Sequence, residues 1–210
     1  MVHGDDSERQ RLIVACYTSG DYAEVAEEML LPSLRDLGLA HDVREVPNLG
    51  SWVANGFGCQ LFLMRMHWKM PEVDFLFLDV DATVQSDPWP YLSRLDCDIA
   101  GYYFKGKELL TGTLYLPAGP RRKELLTRWI EKNQAAPDIW DQKHLQALLE
   151  EDPTFKVSHL PAEYCCIFDL QRKQTPGIVP VIEHHQASRR LKNRVSRIYD
   201  TVNFGDLKGE

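Results

Sequence analysis

Apolar positions along the chain fall into two alternating periods. Arg11-Leu-Ile-Val-Ala-Cys-Tyr17 is a continuous, partly β-branched run and predicts a buried strand. Thr18-Ser-Gly-Asp21 is turn chemistry. Tyr22, Val25, Met29, Leu30, Leu34 and Leu37 then recur at helical spacing, with Gly38 as the stop. Pro32 lies inside this helix and is expected to kink or split it. Residues 41–46 read as a short strand. Residues 47–58, with three glycines and two asparagines, read as a loop, and 59–69 as a helix.

The second half continues the pattern. Phe75-Leu-Phe-Leu78 runs straight into Asp79-Val80-Asp81, and Asp87-Pro88 and Pro90 mark a turn. Residues 99–104 and 111–116 predict strands. Residues 122–133 predict a helix with Leu125, Leu126, Trp129 and Ile130 on one face. A second helix, 138–150, places Trp140, Asp141, His144, Leu145 and Leu148 together. Short strands follow at 157–160 and 179–183. Strands alternating with helices in the first half predict an α/β fold with a mostly parallel central sheet. Ligands of such sheets sit outside the carboxyl ends of the strands, where the two aspartates stand.

Composition narrows the class. The chain has 210 residues, 44% hydrophobic and 26% charged, a length at which folding buries about 70% of the unfolded chain's surface. The organisation expected is a disordered segment 1–10, one domain over 11–188 and a basic tail 189–210. Net charge is −7, which gives no general attraction to nucleic acid or anionic membrane, although Arg189, Arg190, Lys192, Arg194 and Arg197 make the tail locally basic. The five cysteines, Cys16, Cys59, Cys97, Cys165 and Cys166, are odd in number and form no C-x-x-C pair. They read as reduced core thiols of a cytoplasmic protein. The first ten residues are polar, so no secretory signal is expected. The uncharged run 48–64 is broken by glycines and is not a membrane span.

Asp79 and Asp81 carry the candidate chemistry. In extended chain, residues two apart point the same way, so both carboxylates would face one cleft. Hard oxygen ligands of this kind suit Mg²⁺ or Mn²⁺, and a cation there can take up charge on a diphosphate leaving group. The same segment also resembles the first motif of haloacid-dehalogenase-type phosphatases, in which Asp79 would be the nucleophile. That motif normally opens its domain, whereas a complete strand–helix–strand unit precedes it here. The later lysine and acid pair of those enzymes also have no counterpart. A third reading is a non-catalytic nucleotide-sugar-binding module.

The ordered set of short motifs resembles the GT-A glycosyltransferases, the nucleotide-diphospho-sugar transferase superfamily, including its small phage and bacterial forms. It runs from about residue 12 to 192. The motifs are Tyr17-Thr18, the loop Gly50-Ser-Trp52 to Asn55, Leu78-Asp-Val-Asp-Ala82 with Asp87-Pro88, Thr111-Gly-Thr-Leu-Tyr115, Trp140-Asp-Gln142 and Val181-Ile-Glu-His-His-Gln-Ala-Ser-Arg189.

The resemblance implies a GT-A, Rossmann-like single domain and a metal-dependent transferase acting on a nucleotide-diphospho-sugar, with a UDP-sugar as the expected donor. It implies Asp79 on the ribose–diphosphate and metal, with Asp81 as direct ligand. A late histidine completes the metal shell. His184 and His185 point to opposite faces, and His185 is favoured because it opens the polar Gln-Ala-Ser-Arg segment. Tyr17 and Thr18 hold base and ribose. Asp141 meets the acceptor hydroxyl as general base, or the donor sugar. Gly112, Thr113, Trp140 and Gln142 line the sugar and acceptor pocket, and Trp52 stacks on the donor. Many relatives carry a lysine after the Asn of the Trp52–Asn55 loop; here Gly-Cys-Gln60 stands instead. Arg65, Arg189, Arg190 and Lys192 are therefore assigned to the phosphates. The acceptor is open between a glycan, a protein hydroxyl and a hydroxymethylated DNA base, the last placing the protein in a host cytoplasm if viral.

Overall fold

The computed structural model describes residues 9–18 and 20–187. The expected disorder of 1–10 and the basic tail with Arg189, Arg190 and Lys192 lie outside the described residues, save Arg9 and Gln10. The strands are β1 (Arg11–Tyr17), β2 (His41–Glu45), β3 (Asp74–Leu78), β4 (Ala82–Val84), β5 (Ile99–Phe104), β6 (Glu108–Leu116), β7 (Val157–His159), β8 (Cys166–Ile167) and β9 (Ile182–His184). The helices are α1 (Gly20–Val25), α2 (Leu31–Asp36), α3 (Trp52–Lys69), α4 (Trp89–Leu92), α5 (Pro120–Ala135), α6 (Asp141–Glu151) and α7 (Gln171–Gln174).

Six strands form one sheet in the order β2-β1-β3-β6-β5-β7. β1 is parallel to β2 and β3, and β5 is parallel to β7. β6 alone is reversed, antiparallel to β3 and β5. The sheet is thus mostly parallel, as the strand–helix alternation predicts. A small second sheet, β4-β9-β8, stands beside it.

Strand alternation divides the core between two faces. Ile13, Ala15, Leu76, Leu78 and Tyr115 pack with Ala26, Leu30 and Leu34 and with Ala82, Val84 and Ile182 of the small sheet. Val14, Cys16, Phe75, Phe77, Leu114 and Leu116 pack on the other face against Phe62, Leu63 and Met66 of α3, Leu125, Leu126 and Trp129 of α5, and Leu145 and Leu148 of α6. All five residues of β3 are buried, which explains the unbroken apolar run Phe75–Leu78: a central strand covered on both sides has no solvent face.

Pro32 splits the first helix as expected. A π-helical turn, Ala26–Leu30, joins α1 to α2 just before it. Proline cannot donate to the carbonyl four residues back, and the looser turn absorbs that missing bond. The helix ends where Gly38 adopts φ 63°. The N–H of Leu39 bonds the Leu34 carbonyl at 2.9 Å and that of Gly38 the Arg35 carbonyl at 3.0 Å, a Schellman end.

The largest departure from the sequence expectation is α3. Residues 47–58 do not form one loop: the helix starts at Trp52, seven residues early, with the Ser51 hydroxyl accepting from the Ala54 N–H at 3.1 Å as N-cap. Gly56 and Gly58 are helical, and the role of Gly56 is close approach rather than turning. Smaller differences are α6, which begins at Asp141 rather than 138, β6, which begins at Glu108, and β9, which begins at Ile182.

At the amino end of β3, away from the aspartates, a buried Arg122 ties the layers together. Its guanidinium donates to the carbonyls of Val73 (2.5 Å), Leu116 (3.3 Å), Met70 (3.0 Å) and Pro71 (2.9 Å) and to His67 Nδ1 (3.1 Å). It also lies over the Phe75 ring at 4.0 Å. Burial lowers its pKa to about 10, so it stays charged.

Candidate active site

β3 ends at Leu78 and the chain turns at once. The Ala82 N–H donates to the Asp79 carbonyl at 3.1 Å, and the Asp79 N–H to the Gly112 carbonyl of β6 at 2.9 Å. Residues 79–81 are therefore a tight turn and not the extended segment expected from spacing. The turn, rather than strand alternation, converges the two carboxylates. It hands the chain to β4, which pairs antiparallel with β9 so that Ala82 lies opposite His184. This register brings a histidine from the far end of the sequence onto the D-x-D turn.

Asp79, Asp81 and His184 each offer one ligand atom, all within 4.8 Å of one another. His184 Nδ1 is 3.6 Å from Asp81 Oδ1. Asp81 Oδ2 accepts the Ala187 N–H at 2.7 Å, and the Asp81 carbonyl accepts the His185 N–H at 3.0 Å. The sequence reading favoured His185 as the third ligand; the structure brings His184 into the cluster instead. His185 faces away, its Nε2 3.0 Å from the Thr83 hydroxyl and its ring stacked on Phe168.

Gly112 makes room for the cluster. A Cβ there would come within 2.9 Å of Asp79 Oδ2 and 3.1 Å of His184 Cε1. Thr113, expected to line the acceptor pocket, is fully buried, with its hydroxyl 2.7 Å from His184 Nε2. Its hydroxyl meets the histidine and is closed off from solvent.

The electrostatics are those of crowded carboxylates. Asp79 opens to solvent on one side but is packed by protein on the others. This crowding, together with the neighbouring Asp81 charge, pushes its carboxyl up to about 7. Asp81 is also crowded, yet hydrogen bonding from His184, its charge and the Ala187 N–H hold it below the usual range. Burial works against charge on His184, while Cys165 and Asp81 drive its pKa upward. A cation held by these side chains would relieve the Asp79–Asp81 repulsion, with the imidazole of His184 binding in its neutral form.

Asp141 opens α6 and is buried. Its main chain is anchored by the Trp129 indole, whose Nε1–H donates to the Asp141 carbonyl at 2.9 Å. α3 passes so closely that a Cβ on Gly56 would meet the Asp141 carboxyl at 2.8 Å. Burial pushes Asp141 up to about 6, opposed by the backbone N–H groups of Gln142 and Asp141 itself. Gln142 continues the wall: its Oε1 accepts the Thr111 N–H at 3.4 Å and its Nε2 donates to Glu108 at 2.9 Å. Asp141 and Gln142 are thereby held beside the Thr111-Gly112 segment that abuts Asp79. The charge of Asp141 also reaches Asp79 and helps raise it.

The remaining sequence candidates fall as follows. Tyr17 and Thr18 stand at the carboxyl end of β1, the strand beside β3. Trp52 and Trp140, assigned to donor and acceptor separately, touch each other, with ring centroids 6.4 Å apart and planes tilted by 58°. They form one contact between the starts of α3 and α6. Arg65 does not join the site. Nine residues after Gly56 it lies half a turn round the helix and about 13 Å along it, on a groove lined by Asp42, Arg44, Glu45, Leu61 and Lys69. Sequence reasoning missed Gly56, although a glycine within an apolar helical pattern signals close approach.

The donor set fits a small divalent cation. Ligands of an octahedral ion at about 2.1 Å lie about 3 Å apart when adjacent, and the Asp81–His184 pair at 3.6 Å is close to that. Two carboxylates and one imidazole make a hard-to-borderline set.

A mostly parallel α/β sheet whose third strand delivers a D-x-D turn, closed by a distant histidine, is the arrangement of a GT-A glycosyltransferase. The nucleotide-diphospho-sugar transferase family model matches residues 70–196, more than half of the chain, and the protein belongs to that family. It is an enzyme of the glycosyltransferase class. This removes the phosphatase and the non-catalytic module as readings.

Three solved structures share the fold. A glycosyltransferase involved in glycosylation of the major capsid of PBCV-1 is 15% identical, with a TM-score of 0.68 over 88% of this chain and 98% of that one. The apo-form glycosyltransferase GlyE of Streptococcus pneumoniae TIGR4 is 15% identical, with a TM-score of 0.55, 84% of this chain covering 54% of that one. The galactosyltransferase LgtC, in complex with donor and acceptor sugar analogues, is 15% identical, with a TM-score of 0.50 over 92% of this chain and 98% of that one. No curated protein matches the chain in sequence. Among the described residues, no helix is long and apolar enough to cross a membrane.

Proposed function

We propose that the protein transfers a sugar from a nucleotide-diphospho-sugar, a UDP-sugar first among them, to an acceptor hydroxyl, with Mn²⁺ or Mg²⁺ held by Asp79, Asp81 and His184. The observation that carries this reading is the convergence of those three side chains within 4.8 Å at the carboxyl end of β3. When bound, the cation neutralises charge on the diphosphate leaving group.

The chain's own residues do the rest. The nucleoside lies along the ends of β1 and β3, at Tyr17 and Thr18. Arg189, Arg190 and Lys192, which lie outside the described residues, are assigned to the diphosphate on the family resemblance. Asp141 faces the reacting sugar. With a pKa pushed up to about 6 it is ionised at neutral pH yet basic enough to take the acceptor proton. In that step the acceptor oxygen bonds the anomeric carbon, the bond to the phosphate oxygen breaks, and the hydroxyl proton passes to the Asp141 carboxylate. The aromatic pair Trp52 and Trp140, with Gln142, borders this position on the acceptor side.

The acceptor is an uncharged hydroxyl of a glycan or protein. A hydroxymethylated base in DNA is disfavoured, because Asp79, Asp81, Asp141 and Glu108 line the cleft and the chain carries a net charge of −7. The relatives support a sugar acceptor: one acts in capsid glycosylation and another was solved with donor and acceptor sugar analogues.

Thermal denaturation with UDP-, GDP- and other nucleotide sugars, with and without Mn²⁺, tests the reading. A donor at 100 times its Kd stabilises by about 2.7 kcal/mol, and the shift is expected to need Mn²⁺ and to vanish in Asp81→Ala. A series of donors giving no metal-dependent shift would sink it.

A further inference from the structure

We propose that Thr113 is a positioning residue for the cation: its hydroxyl holds His184 so that Nδ1, and not Nε2, is the ligating nitrogen. This rests on the metal reading above. An imidazole has two nitrogens, and the hydrogen bond made by one decides what the other can do. Here they have different partners, and the buried Cys165 thiol also lies against the ring. Nδ1 faces the carboxylates, 3.6 Å from Asp81 Oδ1. Nε2 lies 2.7 Å from Thr113 Oγ1 on the far side of the ring. With Nε2–H donating to that oxygen, the Nδ1 lone pair is left for the cation.

Three features make the hydroxyl a fixed point. Thr113 has 0% exposure, so water does not compete for the bond. It pairs with Leu78 of β3, the strand that leads into the aspartates. The residue before it, Gly112, is the one whose missing side chain admits both Asp79 and His184. Gly112 and Thr113 thus form a two-residue template, the first giving space and the second setting the ring. His185 is held elsewhere, its Nε2 on the Thr83 hydroxyl and its ring on Phe168.

The test is Mn²⁺ affinity, read from the free-ion electron paramagnetic resonance signal, without donor or turnover. Thr113→Val, which keeps the shape and loses the oxygen, is expected to weaken Mn²⁺ binding by about ten- to a hundredfold. Thr113→Ser is expected to bind close to wild type, a rescue that mere packing does not predict. A second measurement needs no variant: in the Mg²⁺-loaded wild-type protein, nitrogen–proton correlation spectra should show His184 protonated at Nε2. Folded Thr113→Val binding Mn²⁺ as tightly as wild type, or His184 protonated at Nδ1 when loaded, would overturn this inference alone. Absence of Mn²⁺ binding by the wild-type protein would overturn the metal site itself, and this inference with it.

Discussion

Replacing Asp141 by asparagine is expected to stabilise the folded protein at neutral pH while sharply slowing transfer. The side chain is buried at the start of α6, with the backbone of α3 against it at Gly56. Its pKa is raised from 3.8 to about 6. The sign follows from which state binds the proton more tightly. Below the unfolded pKa both states are protonated and the carboxyl carries no penalty. Between 3.8 and about 6 the unfolded chain ionises and the folded one does not, so stability falls as pH rises. Above that window the loss is constant, at about 3 kcal/mol, from roughly two pH units at 1.36 kcal/mol each. Asparagine keeps the shape and the acceptor oxygen and has no charge to desolvate. For a chain of this size the gain corresponds to about 6–12 °C in Tm. The assay is thermal or urea unfolding of both proteins in EDTA at pH 8 and pH 4. The asparagine variant should lead at pH 8 and the difference should close at pH 4. Transfer by the variant should fall by about 10²-fold or more if Asp141 takes the acceptor proton. An asparagine variant no more stable than wild type at pH 8, or equally favoured at both pH values, would refute the burial argument.

Two further substitutions separate stability from catalysis. Gly56→Ala places a Cβ 2.8 Å from the Asp141 carboxyl; alanine's helix preference, about 0.5–1 kcal/mol, offsets part of the clash. Little change in Tm with a large loss of kcat is therefore expected, and unchanged kcat would show that Asp141 need not stay where it is. Arg122→Met leaves the carbonyls of Val73, Met70, Pro71 and Leu116 without their donor. A loss of about 3–5 kcal/mol is expected by urea unfolding, with transfer per folded molecule unchanged because the cluster lies at the opposite end of β3.

The sequence by itself determined the layers. β3 is apolar from Phe75 to Leu78 because it is covered on both faces, Pro32 could not continue an α-helical ladder, and Gly38 could take the left-handed turn; each is a local consequence of residue type. It also marked the D-x-D pair, since an acidic pair directly after a buried strand has few structural reasons to exist. The choice between His184 and His185 was not local. It depends on the pairing of β9 with β4, which sets Ala82 against His184, and a strand pairing between residues about a hundred positions apart leaves no periodicity in either segment. The same holds for Thr113, whose pattern suits a pocket wall or a core strand equally until His184 is placed against it. Gly56 looked like a loop breaker because the partner that requires a bare helix face, Asp141, arrives from another element. Arg65 was misplaced for a related reason: it lies half a turn round α3 from Gly56, and which face of α3 meets Asp141 is set by packing between the two helices. Residue type decided which side chains were able to do the chemistry. Only the tertiary structure decided which of them meet, because their meeting depends on register and helix phase between elements distant in the chain.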